Sequence, residues 1–188
     1  MSLRQIPNAI CLARLALVVP IALTLVHDDP ALTLWLFAAA AVSDGADGFL
    51  AKRFGWQTDL GAFLDPLADK VLLTTTFITL GWMSLVPMWL VLLTVGRDLV
   101  IVSGALAYRL LLGPVKIEPK ISSKINTACQ LGCVLIVICR QAFSLPVAWV
   151  ATAAGAAVLV TTGISGVDYV RTYGLRARAD LARSRMQP

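Results

Sequence analysis

The chain has 188 residues, 58% of them hydrophobic and only 14% charged, with a mean hydropathy of +0.79. Soluble domains carry about 25% charged residues, so this composition excludes an ordinary water-soluble domain. The net charge of +5 does not imply nucleic acid. The basic residues gather at the ends of apolar stretches, as they do on the cytoplasmic face of an anionic membrane.

A membrane helix needs about 20 apolar residues. By that criterion the sequence predicts an all-α, polytopic membrane protein with six transmembrane helices, over 8–26, 31–52, 60–82, 87–112, 122–142 and 146–172. The whole of 1–188 reads as one membrane domain ending in a basic tail from about 171. The breaks have physical causes: His27-Asp28-Asp29-Pro30, the polar run Gly55 to Asp59, Pro87, Gly113-Pro114, Pro119 and Pro146. The opening residues Met1 to Asn8 show neither a cleavable signal nor an Arg-rich presequence, so the first apolar segment reads as retained.

An N-terminus in the cytoplasm puts Arg4, Lys52, Arg53, Lys116, Lys120, Lys124 and the tail arginines on one side. The other side receives Arg140, Asp28 and Asp29. The positive-inside rule selects this arrangement, and an even number of spans then makes both termini cytoplasmic. Cys11, Cys129, Cys133 and Cys139 all lie in apolar sequence with no partner set for a metal, and they read as small hydrophobes.

The second and third spans contain four aspartates: Asp44 and Asp47, then Asp65 and Asp69. A charged side chain at a helix centre costs about 2.5–3.5 kcal/mol on insertion scales, so four in one hairpin need compensation. Lys52, Arg53 and Lys70 are too few to supply it as structural ion pairs. Spacings of three and four put each pair on one helix face, and the turn between them brings both pairs to a similar depth. Opposed carboxylates repel unless cations lie between them, and oxygen ligands suit hard ions. Two divalent ions, Mg2+ or Mn2+, are the expected cofactors. Gly45, Ala46, Gly48, Ala51, Gly61 and Ala62 leave room beside the acids, for helix packing or for a base and a diphosphate.

These segments resemble the signature of the CDP-alcohol phosphatidyltransferase family, Asp-x2-Asp-Gly-x2-Ala-Arg-x8-Gly-x3-Asp-x3-Asp. Asp44, Asp47, Gly48, Ala51, Gly61, Asp65 and Asp69 match at every spacing, while Lys52 stands where the family has Arg. The opening Ile6-Pro7-Asn8-Ala9-Ile10 with Arg14 also looks like the family. The resemblance implies an enzyme that moves a phosphatidyl group from CDP-diacylglycerol to an alcohol and releases CMP. It further implies that Asp44 and Asp65 touch both metals, that Asp47 binds one, and that Asp69 binds the other and acts as general base. Asn8, Asp44, Gly48, Ala51, Lys52, Thr58 and Gly61 would contact CDP-diacylglycerol. The resemblance also implies a homodimer, and a compact chain opening without a presequence suits a bacterial inner membrane more than a mitochondrial one.

Arg97 lies deep in the fourth span and Lys124 opens the fifth. Adjacent residues point to different helix faces, so Arg97 is expected to turn from Asp98 toward an acceptor phosphate, with Lys124 as a second contact. Arg97-Asp98 and Ser123-Lys124-Ile125-Asn126-Thr127 look like the CMP-forming cardiolipin synthases. Related phosphatidylglycerophosphate synthases carry a second Lys at the Asn126 position. Phosphatidylglycerol, with one charge, is therefore the preferred acceptor, and glycerol 3-phosphate the alternative. An intramembrane cation transporter would also explain buried acids, but it would spread polar groups through the whole thickness.

Overall fold

A computed structural model of the chain describes residues 6–54, 59–112, 121–146 and 148–186. Within these, side chains are described except at 6–8, 44–52, 59–66, 105, 107, 109–112 and 173–186. Six helices and no strand occur among the described residues: α1 (Ile6–Val26), α2 (Pro30–Phe54), α3 (Asp59–Trp82), α4 (Met88–Leu112), α5 (Ile121–Ala142) and α6 (Ala148–Met186). The predicted spans match these helices to within about two residues at nearly every end, inside the usual fraying of helix termini. The exception is α6, which continues through the basic tail. Its last stretch, rich in Ala, Arg and Leu, is built of strong helix formers.

Among the described residues, three helices are long and apolar enough to cross a membrane: Ala9–Val26, Ile121–Ala142 and Ala148–Thr172. A shorter apolar stretch covers Pro30–Ser43 of α2. The chain is a membrane protein, and its exposed surface is correspondingly apolar, with Leu12, Val19, Trp35, Leu92, Val102 and Val160 all outward.

The ends of α1, α3 and α5 are closed in the same way. Asp28, Ser84 and Ser144 take positive φ of 56°, 58° and 48°. At each, the following N–H reaches back five residues: Asp29 to the Thr24 carbonyl at 3.0 Å, Leu85 to Leu80 at 2.9 Å, and Leu145 to Arg140 at 3.0 Å. These are Schellman caps, which satisfy the last carbonyls of a helix without water. Asp29 then caps α2, accepting the Leu32 N–H at 3.0 Å, with Pro30 at the first helical position where its missing N–H costs nothing.

The chain divides into two compact units. One comprises α1–α3 and the end of α5 from Val134, and the other comprises α4, the beginning of α5 and α6. In the first unit α1 packs on both α2 and α3. Its buried stripe, Cys11, Arg14, Val18, Ile21 and Leu25, has the three-and-four spacing of one helix face. Buried residues of α2 and α3 include Phe37, Ala40, Leu72, Leu73, Phe77 and Leu80. In the second unit many buried positions are polar, among them Thr94, Arg97, Asp98, Asn126, Gln130, Thr162 and Ser165, beside apolar Leu90, Val91 and Val158. The four cysteines are free.

Candidate active site

Asp69 is the one member of the aspartate set whose side chain is described. It sits on α3, accepts a charge-assisted hydrogen bond from Arg14 of α1, and keeps 44% of its side chain exposed, while the Arg14 side chain is fully buried. Arg14 lies within the packed stripe of α1, so the pair ties the first helix to the third.

Asp44 and Asp47 fall on α2, and Asp65 falls on α3 with Asp69. Because both helices run unbroken through these positions, the backbone holds each pair on a single helix face. The side chains of Asp44, Asp47 and Asp65 lie outside the described residues. The same is true of Asn8 on α1, Gly48, Ala51 and Lys52 on α2, and Gly61 on α3, while Thr58 lies outside the described residues altogether. Among the described side chains no group of three or more His, Cys, Asp or Glu is assembled.

The second unit holds Arg97. Its guanidinium pairs with Asp98 at 2.8 Å, both side chains being almost wholly buried. It also donates to Ser123 of α5 at 3.0 Å and to Ser165 of α6. The expectation that Arg97 turns away from its neighbour is therefore corrected. Cα–Cβ vectors of adjacent residues diverge, but the long arginine stem curls back and reaches Asp98. The stem runs past Gly166, where an added Cβ would meet Arg97 Cγ at 3.7 Å. Lys124, one residue beyond Ser123, is exposed and is not among the groups that bond Arg97.

Around Arg97 the helices are joined by further polar contacts. Ser122 donates to Asp168 at 2.8 Å, and Tyr169 donates to the Ile101 carbonyl at 2.9 Å. The Asn126 side chain is completely buried, with its amide oxygen 2.9 Å from the hydroxyls of both Thr161 and Thr162. Four buried atoms here have no hydrogen-bond partner among the described residues: Thr94 Oγ1, Arg97 Nε, Asn126 Nδ2 and Gln130 Nε2. Buried polar atoms normally find partners, so this layer has capacity for water or for a polar ligand.

Two features escaped the sequence. Arg14 gave only a family likeness, because its partner lies 55 residues away. The polar spine of α6 was masked by its surroundings, although Thr162, Ser165 and Tyr169 recur at helical spacing and carried a usable signal.

The family model for CDP-alcohol phosphatidyltransferase matches residues 4–162. The chain belongs to the CDP-alcohol phosphatidyltransferase family. Among relatives, this phosphatidyltransferase-family chain is 30% identical over 186 residues to the cardiolipin synthase (CMP-forming) of Rattus norvegicus, covering 87% of this chain and 60% of the rat protein. It is 33% identical over 173 residues to a probable phosphatidylglycerophosphate synthase of Mycobacterium tuberculosis, covering 88% and 80% respectively. Over 100 residues it is 36% identical to the cardiolipin synthase (CMP-forming) of Streptomyces coelicolor, covering 50% and 46%. The chain thus spans about 60% of the length of the rat synthase.

Proposed function

We propose that the chain transfers the phosphatidyl group of CDP-diacylglycerol to phosphatidylglycerol, giving cardiolipin and CMP. The observation that carries this reading is the match to the family over most of the chain, with CMP-forming cardiolipin synthases among its relatives. The acceptor's hydroxyl oxygen attacks the phosphorus that bears diacylglycerol. The bond from that phosphorus to the CMP phosphate oxygen breaks, CMP leaves, and Asp69 takes the hydroxyl proton. The family assignment favours an enzyme over the transporter that the buried acids alone would allow.

Two divalent cations, Mg2+ or Mn2+, fit the residues present. The donor set is all carboxylate, the helical backbone keeps Asp44 with Asp47 and Asp65 with Asp69, and Asp69 remains accessible beside Arg14. Bound there, the ions would neutralise diphosphate charge and polarise the attacked phosphorus. Asn8, Asp44, Gly48, Ala51, Lys52, Thr58 and Gly61 are assigned to CDP-diacylglycerol, and Arg97 and Lys124 to the acceptor phosphate. Asn126 supports the singly charged acceptor. Its buried carboxamide, bonded to two threonine hydroxyls, suits a neutral surrounding better than a second cation would.

Glycerol 3-phosphate is the second reading, favoured by the likeness to the mycobacterial protein over 80% of that protein's length. Six spans with cytoplasmic termini, in a bacterial inner membrane and as a homodimer, complete the proposal. Each helix has at least 21 residues, enough for a bilayer. Trp35, Trp82, Trp89 and Trp149 are strongly exposed. They stand near the start of α2, the end of α3 and the starts of α4 and α6, ends that share one face in an alternating topology. Tryptophan favours the membrane interface.

Purified protein given CDP-diacylglycerol with both phosphatidylglycerol and glycerol 3-phosphate should form cardiolipin. Phosphatidylglycerophosphate as the dominant lipid would reverse the acceptor assignment. EDTA should stop CMP release, and added Mg2+ or Mn2+ should restore it.

A further inference from the structure

We propose that Arg14 is the positioning residue of Asp69, holding its carboxylate in the orientation needed for metal binding and turnover. The inference rests on the assignment of Asp69 as metal ligand and base made above. What carries it is the asymmetry of the pair. Arg14 has a fully buried side chain in the packed stripe of α1, whereas Asp69 is 44% exposed. An arginine in an apolar helix ordinarily extends toward polar surroundings, and this one is turned inward and bonds a carboxylate of α3. The Arg97–Asp98 pair differs, with side chains only 6% and 10% exposed. At Arg14 the cation is held within packed side chains, and the carboxylate it bonds remains partly exposed.

A buried guanidinium is suited to this task. Its planar fork fixes the direction of the bond as well as supplying charge. The groups around Arg14 that share its stripe, Cys11, Val18 and Ile21, are buried too, so the stem has little freedom. Groups that orient a metal ligand from behind typically account for about 10–100-fold in metal affinity or activity. Small displacements of a reacting group can cost about 100-fold in rate. Arg14 touches neither substrate nor metal in this account, and it acts only through Asp69.

The test uses the full chain in detergent or nanodiscs, with Mn2+ binding followed by electron paramagnetic resonance beside kcat, KM and thermal unfolding. Arg14→Gln is expected to weaken Mn2+ binding and lower kcat by about 10–100-fold, with KM for CDP-diacylglycerol within about two-fold of the parent. Arg14→Lys, which keeps charge but loses the fork, should recover part of both. If Arg14→Gln lowers only the unfolding midpoint, leaving Mn2+ affinity and kcat of the folded fraction unchanged, Arg14 is merely structural and the proposal is overturned. Should Arg14→Gln not fold, Arg14→Lys decides: parental Mn2+ affinity and kcat in that variant overturn the proposal, and a several-fold loss of both supports it. Asp69→Asn separates the two readings. Loss of Mn2+ binding and turnover in Asp69→Asn, with both Arg14 variants normal, defeats the positioning role alone. An Asp69→Asn protein that binds Mn2+ and turns over normally defeats the parent assignment instead.

Discussion

The two units of the chain treat buried charge differently. In the unit of α1–α3 a buried arginine, set in a mostly apolar core with a few threonines, reaches across helices to an aspartate 55 residues away. In the unit of α4–α6 the arginine pairs with its own neighbour, and the surrounding core mixes Ser, Thr, Asn and Gln with apolar side chains. The first arrangement leaves a half-exposed carboxylate, and the second closes its charges almost completely. In a membrane the outward surface must be apolar, so polar chemistry is confined to inward faces. Among the described residues the first unit buries one cation and a few threonines, and the second buries a longer row of polar groups.

The sharpest way to break this contrast is Asp69→Asn. Turnover should fall about 1,000-fold, within the range of a lost general base, while CDP-diacylglycerol binding, measured by equilibrium dialysis, changes little. A near-parental rate would mean that the open carboxylate has no catalytic task. Next in size is Arg97→Met, which removes the arginine partner of the buried Asp98. Breaking a buried pair from one side costs about 3–5 kcal/mol, visible as a lower unfolding midpoint in detergent. Adding Asp98→Leu should recover most of that stability and none of the acceptor affinity. Recovery of both would show that Arg97 serves the fold alone.

Asn126→Leu should be milder. It removes hydrogen bonds to Thr161 and Thr162, each worth about 1 kcal/mol, and a chemical denaturation series would report the difference. Smallest and opposite in sign is Ser84→Gly. Its φ of 58° is strained for a residue with a Cβ, by about 1 kcal/mol, so glycine should raise the unfolding midpoint while leaving CMP release unchanged.

Most of the helical layout was legible because proline and charge mark its ends: Pro30, Pro87 and the Gly113-Pro114 pair interrupt apolar runs whose lengths fit a bilayer. The acids were legible by spacing, since i,i+3 and i,i+4 are properties of any helix that contains them. Arg14 and Asp69 could not be matched that way, because a long-range pair leaves no local trace. Arg97 misled for a different reason. Helical-face arguments follow the Cα–Cβ direction, and a side chain with four rotatable bonds can double back on its neighbour. The length of α6 was understated because hydropathy measures where a span ends, not where a helix does.

Unbroken, α6 has 39 residues and is about 58 Å long, against a hydrocarbon core of about 30 Å. No swivel separates its apolar part from its arginine-bearing end. Whatever grips that end therefore sets the roll angle of the whole rod, and with it the compass bearing of Thr162, Ser165 and Tyr169.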